Sequence, residues 1–175
     1  MTRILGIDPG SRKTGYGIIA LHGRRMQYIA CGEITLANLP LTDRLAKIYQ
    51  TLSDLILEYQ PQQAAIEQIF VAKNPGSALK LGQARGVAML SCVNQGLSLA
   101  EYSARTVKQA VVGTGAADKL QIQHMVRVLL SLDRSPKADA ADALAIAICH
   151  GFSQKTYGRL SGVSHRARGR YSKTD

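Results

Sequence analysis

The sequence predicts an α/β fold in which a mixed sheet is covered by helices. Short extended runs rich in Ile, Leu and Val alternate with segments whose apolar residues recur every three or four positions, as on one helix face. The first three extended runs are separated only by short turns, which indicates an antiparallel meander. The later runs are separated by helical segments, which indicates a sheet with helices packed on it.

Five strands are expected, namely the three of the meander and two further ones. They cover residues 3–8, 15–21, 26–36, 63–70 and 97–102. Pro9-Gly10-Ser11 turns the chain after the first strand, and His22-Gly23-Arg24 turns it after the second. The fourth and fifth strands each follow a helical segment.

The helical segments are expected at residues 41–59, 77–94, 105–112 and 118–130, with a last helix from Ser135 onward. The first has the clearest period, because Ile48 and Leu52 continue a spacing of three and four residues, and Pro61 follows its end. Ser135 and Pro136 are expected as the N-cap and first residue of the last helix.

Composition indicates one domain and a polyanionic partner. The chain has 175 residues, 46% of them hydrophobic, and a formal net charge of +10. Residues 1–153 are expected to form a single domain. Residues 154–175 are basic and poor in apolar side chains, so a disordered tail is expected there. Such an excess of positive charge favours binding to nucleic acid.

Nothing in the sequence predicts a membrane span or export. No apolar run reaches the ~20 residues of a spanning helix, and the N-terminus leads into a strand without a signal-peptide pattern. The three cysteines are widely spaced, which fits a reducing compartment, so a cytoplasmic protein is expected. His22, His150 and His165 are expected on the surface or in the tail.

Four carboxylates stand where their neighbours predict an apolar residue or the edge of an element. Asp8 ends the first strand, and Glu67 lies near the end of the fourth. Asp139 and Asp142 are three residues apart on an otherwise apolar helix, so they share a face. If the two strands are neighbours and this helix packs at their edge, the four acids meet.

Such a cluster is unfavourable without cations, because like charges raise one another's pKa. Mg²⁺ prefers carboxylate oxygens and bridges substrate phosphates. Two ions ~4 Å apart can activate water and stabilise a leaving oxygen. The acids therefore predict a two-metal site facing a phosphodiester, although turn or helix-start roles would also account for each acid taken singly.

Five segments, in order and spacing, resemble the RuvC family of bacterial Holliday-junction resolvases. They are residues 6–11 (GIDPGS), 14–17 (TGYG), 66–68 (IEQ), 81–86 (LGQARG) and 138–145 (ADAADALA). The resemblance runs from residue 3 to about residue 150. It implies a ribonuclease-H-like fold, a homodimer, and Mg²⁺-dependent nicking of two opposed strands at a four-way DNA junction, with Mn²⁺ able to substitute.

The resemblance also implies roles for particular residues. Asp8, Glu67, Asp139 and Asp142 fall on the family's catalytic, metal-binding acids, and some relatives have His in place of the last of these. Phe70 falls on an aromatic that contacts the junction centre, where an exposed ring can stack on an unpaired base. Lys108 and Lys119 fall on lysines near the DNA, and a branch-migration helicase complex is the implied partner.

The segment 77–94 independently predicts self-association. Its apolar residues cover nearly the whole helix circumference, so burial on more than one side is expected. Gly82 and Gly86 lie one turn apart and would let a second helix approach closely. In a fold of this size, a two-fold dimer is the favoured way to bury the second side of this helix.

Three other functions remain open from the residues. An actin-like ATPase domain would use residues 7–17 as a phosphate-binding hairpin, but it needs a second such domain. A non-catalytic DNA-binding module fits the charge and leaves the acids unexplained. Another ribonuclease-H-like nuclease would cut RNA–DNA hybrids.

Overall fold

The computed structural model describes residues 1–23, 25–69 and 75–164, with side chains described up to residue 154. These residues form one five-stranded sheet and five helices. The strands are β1 (Thr2–Asp8), β2 (Lys13–His22), β3 (Arg25–Thr35), β4 (Gln63–Glu67) and β5 (Ser98–Tyr102). The helices are α1 (Leu41–Tyr59), α2 (Pro75–Asn94), α3 (Ala104–Val112), α4 (Lys119–Leu129) and α5 (Ala138–Ser164).

The sheet is mixed, with the order β3-β2-β1-β4-β5. The first three strands form the predicted antiparallel meander, while β4 pairs parallel to β1 and β5 pairs parallel to β4. The predicted α/β class and strand number are therefore confirmed. Because β1 and β4 are parallel neighbours, their C-terminal ends meet at one edge of the sheet.

The sheet separates two hydrophobic cores. On one face, α1 and α2 cover side chains that include Leu5 and Ile7 of β1. On the other, α3, α4 and α5 cover the alternate side chains, including Ile4 and Ala65. Since strand side chains alternate between faces, Asp8 shares the face of Ile4, and Glu67 shares the face of Ala65. Both acids therefore belong to the face that carries α5.

Three glycines let α5 lie directly against the sheet. A Cβ at Gly6 would collide with the carbonyl oxygen of Ala143, and one at Gly15 with that of Asp139. A Cβ at Gly17 would come within 2.7 Å of the backbone nitrogen of Leu144. The missing side chains of β1 and β2 thus fix how close the first turns of α5 come to Asp8.

Two predicted boundaries are wrong. The last helix begins at Ala138 instead of Pro136, because the carbonyl of Lys137 accepts the first helical hydrogen bond at 2.8 Å and that of Pro136 accepts from Gln123 at 2.9 Å. Strand β4 ends at Glu67, so residues 68 and 69, expected in the strand, lie outside it. Residue 70 lies outside the described residues.

Two features of α5 from His150 onward are not predicted by the sequence. The helix continues to Ser164, past the expected domain boundary at residue 153, and residues 165–175 lie outside the described residues. His150, expected on the surface or in the tail, is instead 6% exposed. Its ring is hydrogen-bonded on both sides, to the hydroxyl of Tyr102 at 2.8 Å and to the amide oxygen of Gln63 at 3.1 Å.

Candidate active site

Asp8 and Glu67 lie side by side at the C-terminal edge of the sheet. The register pairs Ile7 of β1 with Ile66 of β4, so the two acids occupy equivalent positions at neighbouring strand ends. Their carboxyl groups share a hydrogen bond. The condition under which the four acids would meet, that these two strands are neighbours, is therefore fulfilled.

Asp139 and Asp142 approach the same place from α5. Both lie in the first two turns of that helix, where the dipole favours negative charge. Asp142 lines a cavity of about 260 Å³ together with Asp8 and Glu67. Asp139 stands at the side of this group, near enough for its charge to act on Asp8 and Asp142.

Burial and mutual repulsion disfavour the ionised form of the acids in this cluster. Burial, the largest cause, raises the pKa of Asp8 to about 8 together with the charges of Glu67, Asp142 and Asp139, in that order. Burial also raises the pKa values of Glu67 and Asp142. At neutral pH and without a cation, Asp8 is therefore mostly protonated and donates its hydrogen bond to Glu67.

The donor set fits a hard divalent cation. All candidate ligands are carboxylate oxygens, the type that Mg²⁺ prefers, and a bound cation would offset the repulsion that raises the pKa of Asp8. Among the residues the structure describes, no three acidic, His or Cys side chains are arranged to ligate one ion together. Because metal ligands bind in their deprotonated form, binding of a cation here would be coupled to loss of the Asp8 proton.

Two lysines border the cavity from the helices on this face. Lys108 of α3 and Lys119 of α4 both line it. The Lys119 ammonium lies 4.0 Å from the Asp142 carboxylate, and its side chain is 75% exposed. Positive charge beside an acidic cavity suits a phosphate backbone that must approach carboxylates.

Helix caps determine where these lysines emerge. The hydroxyl of Ser103 caps α3 by accepting from the backbone nitrogen of Thr106 at 3.1 Å. Asp118 and Gln121 form a capping box at the start of α4, so Lys119 becomes the first residue of that helix. The loops before α3 and α4 thereby direct both lysines to the acid cluster.

The structure brings together six of the seven predicted site residues: Asp8, Glu67, Asp139, Asp142, Lys108 and Lys119. The seventh, Phe70, lies outside the described residues.

Sequence reasoning missed two cations beside the cluster. Lys13 of β2 lies 3.1 Å from Glu33 and 3.9 Å from Asp139. Arg85 of α2 donates to the backbone carbonyl of Glu67 at 3.1 Å. Arg85 falls inside the quoted LGQARG segment, which could have drawn attention to it, whereas no sequence pattern distinguishes Lys13.

The mixed five-stranded sheet, with acids at the ends of β1 and β4 and on the covering helix α5, defines a ribonuclease-H-like protein. The family of crossover junction endodeoxyribonucleases RuvC matches residues 4–150. The chain is 57% identical over 171 residues to the RuvC of Tolumonas auensis, which covers 97% of this chain and 99% of that protein. It is 56% identical over 172 residues to the RuvC of Vibrio cholerae, at 98% and 99% coverage. This chain belongs to the RuvC family of crossover junction endodeoxyribonucleases.

Solved structures agree with that assignment. The structure of Thermus thermophilus RuvC in complex with Holliday junction substrate superposes with a TM-score of 0.84 at 29% identity, covering 90% of this chain and 97% of that one. The yeast mitochondrial Holliday junction resolvase Ydc2 shares the fold, with a TM-score of 0.63 at 17% identity over 91% of this chain and 82% of its own.

Proposed function

We propose that this protein resolves four-way DNA junctions by paired, symmetric nicks, with Mg²⁺-dependent phosphodiester hydrolysis at the cluster of Asp8, Glu67, Asp139 and Asp142. The observation that carries the proposal is the convergence of these acids, from two strand ends and one helix, on a cavity bordered by two lysines. Membership in the RuvC family and the likeness to a junction-bound RuvC support the substrate.

The four acids are the groups that would hold two Mg²⁺ ions per site, with Mn²⁺ able to substitute. When bound, such ions supply charge stabilisation to the phosphoryl group and a more acidic water. Asp8 and Glu67 form a neighbouring pair, because β1 and β4 are parallel neighbours and each acid follows the last residue of its strand that is paired with the other strand. Asp139 and Asp142 close the site from α5. Asp142 is also paired with Lys119. A phosphate of the DNA could therefore replace the Asp142 carboxylate as the partner of the Lys119 ammonium group.

The lysines and Phe70 serve to position the DNA. Lys108 and Lys119 attract phosphates to the mouth of the cavity and carry no sequence information. We propose that Phe70, three residues after Glu67, stacks on an unpaired base at the junction centre. A junction offers such bases more readily than a continuous duplex.

A homodimer formed through α2 explains paired nicking. One face of α2 is buried against the rest of the domain, through residues that include Ala84 and Ala88. The opposite face is an exposed apolar stripe, defined here as Leu79, Gly82, Gly86, Leu90 and Val93. Among the described residues, and apart from the neighbouring backbone of α2 itself, no atom lies within 4 Å of a Cβ placed on either glycine, so a second helix has room to approach. Two-fold pairing there would present one acid cluster to each of two symmetry-related strands.

The cellular setting follows from the same assignment. A branch-migration helicase complex is the partner proposed by family resemblance. Cys31, Cys92 and Cys149 are free thiols, which fits the reducing cytoplasm in which we place the protein. In the described part of the chain, no helix combines the length and apolar character needed to cross a bilayer.

Single-acid variants test the proposal most directly. Glu67→Gln and Asp142→Asn should each lower the rate of junction cleavage by about a hundredfold or more, because several kcal/mol of transition-state stabilisation is lost. Binding to the junction should persist, since removal of negative charge favours phosphate approach. Cleavage is followed on labelled four-way junctions, linear duplex and RNA–DNA hybrid with Mg²⁺.

Asp54→Asn is the matched control, because it changes the charge equally on α1, away from the cavity. It should cleave like the wild type. Near-normal cleavage by both site variants would refute the metal assignment. Equal cleavage of hybrid and junction by the wild type would instead favour a general ribonuclease-H-like nuclease.

A further inference from the structure

Arg85 connects α2 to the strand end that carries Glu67. Its Nε donates to the backbone carbonyl oxygen of Glu67 at 3.1 Å. Its Nη2 forms an ion pair with the carboxylate of Glu101 on β5. The Arg85 side chain is only 18% exposed. One guanidinium therefore spans helix α2 and strands β4 and β5 directly behind a proposed metal ligand.

The position of Glu67 depends on few other backbone contacts. The pairing of β4 with β1 ends at Ile66, one residue before Glu67. On the other side, Glu67 is paired with Tyr102, and the last ladder contact is the Gln68 amide donating to the Tyr102 carbonyl at 2.8 Å. Glu67 thus sits where the strand leaves the sheet, so a further contact to its carbonyl restrains the direction of its side chain.

The chemistry of this contact suits Arg better than Lys. A guanidinium is planar and carries several donors in a fixed arrangement, so it can serve a carbonyl and a carboxylate at once. Glu101 fixes the guanidinium by charge, and the guanidinium in turn fixes the carbonyl. Groups that orient a ligand without touching the metal commonly alter metal affinity or activity by 10–100-fold.

We propose that Arg85 is a positioning residue for Glu67, and that it ties the metal site to α2, the helix that carries the exposed apolar stripe. The proposal rests on the function assigned to Glu67 above. It predicts that the ion-binding geometry of each site depends on α2, so that dimer assembly and cleavage competence are linked through Arg85. If Arg85 acted only in packing α2, its loss would lower stability without changing ion affinity.

The test measures divalent-ion binding to the DNA-free dimer by titration calorimetry, using Ca²⁺ and Mn²⁺, alongside cleavage kinetics. Arg85→Gln should weaken ion binding and lower kcat by about tenfold, with KM for the junction and the dimer mass unchanged. Arg85→Lys should recover part of both, because it keeps the charge and one donor. Lys80→Gln is the control, as an exposed cation on the same helix, and should match the wild type.

A second variant tests the proposal even if Arg85→Gln does not fold. Glu101→Gln leaves Arg85 in place but removes its anchor, and should weaken ion binding several-fold. The double variant, with both Arg85→Gln and Glu101→Gln, should lose less ion affinity than the product of the two separate fold-losses. Hydrogen exchange of the Gln68 amide, beside the Glu67 carbonyl, should accelerate in both variants and not in Lys80→Gln.

The outcomes separate this proposal from the function it rests on. Wild-type ion affinity and kcat in Arg85→Gln and Glu101→Gln overturn the positioning role, even if Glu67→Gln is inactive. Unchanged ion binding and cleavage in Glu67→Gln instead overturn the metal assignment itself. Reduced melting temperature with unchanged ion affinity also refutes the positioning role, because it indicates packing alone.

Discussion

Asp8 occupies the least favourable electrostatic position among the four acids. It is partly buried, and three other carboxylates act on it, while Lys119 alone opposes them among the causes that shift its pKa. A position that raises a carboxyl pKa to about 8 destabilises the fold whenever that carboxyl is ionised. This cost fits the proposed role of Asp8 as a metal ligand, and it has a measurable signature.

We predict that the metal-free protein loses stability as pH rises from about 4 to 8. Over this range the unfolded chain has released the Asp8 proton and the native chain retains it, so the free energy of unfolding falls with pH. The slope from this residue is at most on the order of 1.4 kcal/mol per pH unit. Asp8→Asn should remove it, and urea denaturation of both proteins with a chelator present measures the difference.

The contribution of Asp8 is the difference between wild type and variant, because other groups titrate in both. That difference should grow in favour of Asp8→Asn up to about pH 8 and then level off. A constant difference across the range would show that Asp8 is ionised throughout, and that the cluster is better compensated than its burial indicates.

Lys119 should contribute to affinity for DNA without contributing to sequence choice. Lys119→Ala should weaken binding to junction and duplex alike, and should reduce the salt dependence by about one counterion. Binding isotherms at several salt concentrations measure both effects. Lys47→Ala, which removes an exposed lysine from α1, is the control. A loss confined to the junction would contradict simple phosphate contact.

At the scale of elements, the contact between α5 and strands β1 and β2 determines the geometry of the acids. The backbone of α5 contacts the backbone of β2 directly, since the carbonyl of Asp139 takes the space that a Cβ at Gly15 would fill. Neither partner is the end of a flexible side chain, so an added methyl group cannot be accommodated by rotation. The position of Asp139 relative to β2 is therefore set by the absence of a side chain.

Gly15→Ala should displace the first turn of α5 from β2. We expect a loss of stability of about 1–3 kcal/mol, as for other overpacked sites, and a larger proportional loss of cleavage. A displacement of ~1 Å at reacting groups can cost about a hundredfold in rate. Melting temperature and single-turnover cleavage measure the two effects. Full activity in a folded Gly15→Ala protein would show that α5 is not the element that fixes the site.

The sequence predicted the elements of the site better than their boundaries. Asp8 and Glu67 could be placed because both end apolar strands, and strand ends have a defined position in a sheet. The i, i+3 spacing placed Asp139 and Asp142 on one helix face. The start of the last helix could not be found from Ser135 and its neighbouring proline, because a side chain on α4 holds the Pro136 carbonyl outside the helix.

Long-range contacts account for the other differences. His150 looked like a surface residue, yet Tyr102 and Gln63 satisfy both ring nitrogens inside the fold. Lys13 and Arg85 reach acids that are distant along the chain. A local pattern carries no information on such pairings, since they depend on which strands become neighbours.

For the whole molecule, the exposed apolar stripe of α2 is the surface at which the proposed dimer can be tested. Gly82→Glu should convert the protein to a monomer, because a buried unpaired carboxylate costs several kcal/mol, while the open space at Gly82 leaves the monomer fold unaffected. Sedimentation at micromolar concentration tests this, with Gln50→Glu on α1 as the charge-matched control. The variant should nick one strand without completing paired cleavage, and a wild-type monomer would contradict the proposed dimer.

The tight contact between α5 and the glycines of β1 and β2 also has a consequence for protein turnover. These elements cannot separate to relieve repulsion among the acids, so without a cation the cluster keeps Asp8 protonated instead. A cation that binds only the native chain shifts the folding equilibrium by mass action, by about 2.7 kcal/mol at a hundredfold excess over its Kd. On the proposed Mg²⁺ dependence, magnesium starvation would lower both the catalytic rate and the resistance to proteases, so ion supply would regulate the abundance of the protein as well as its rate.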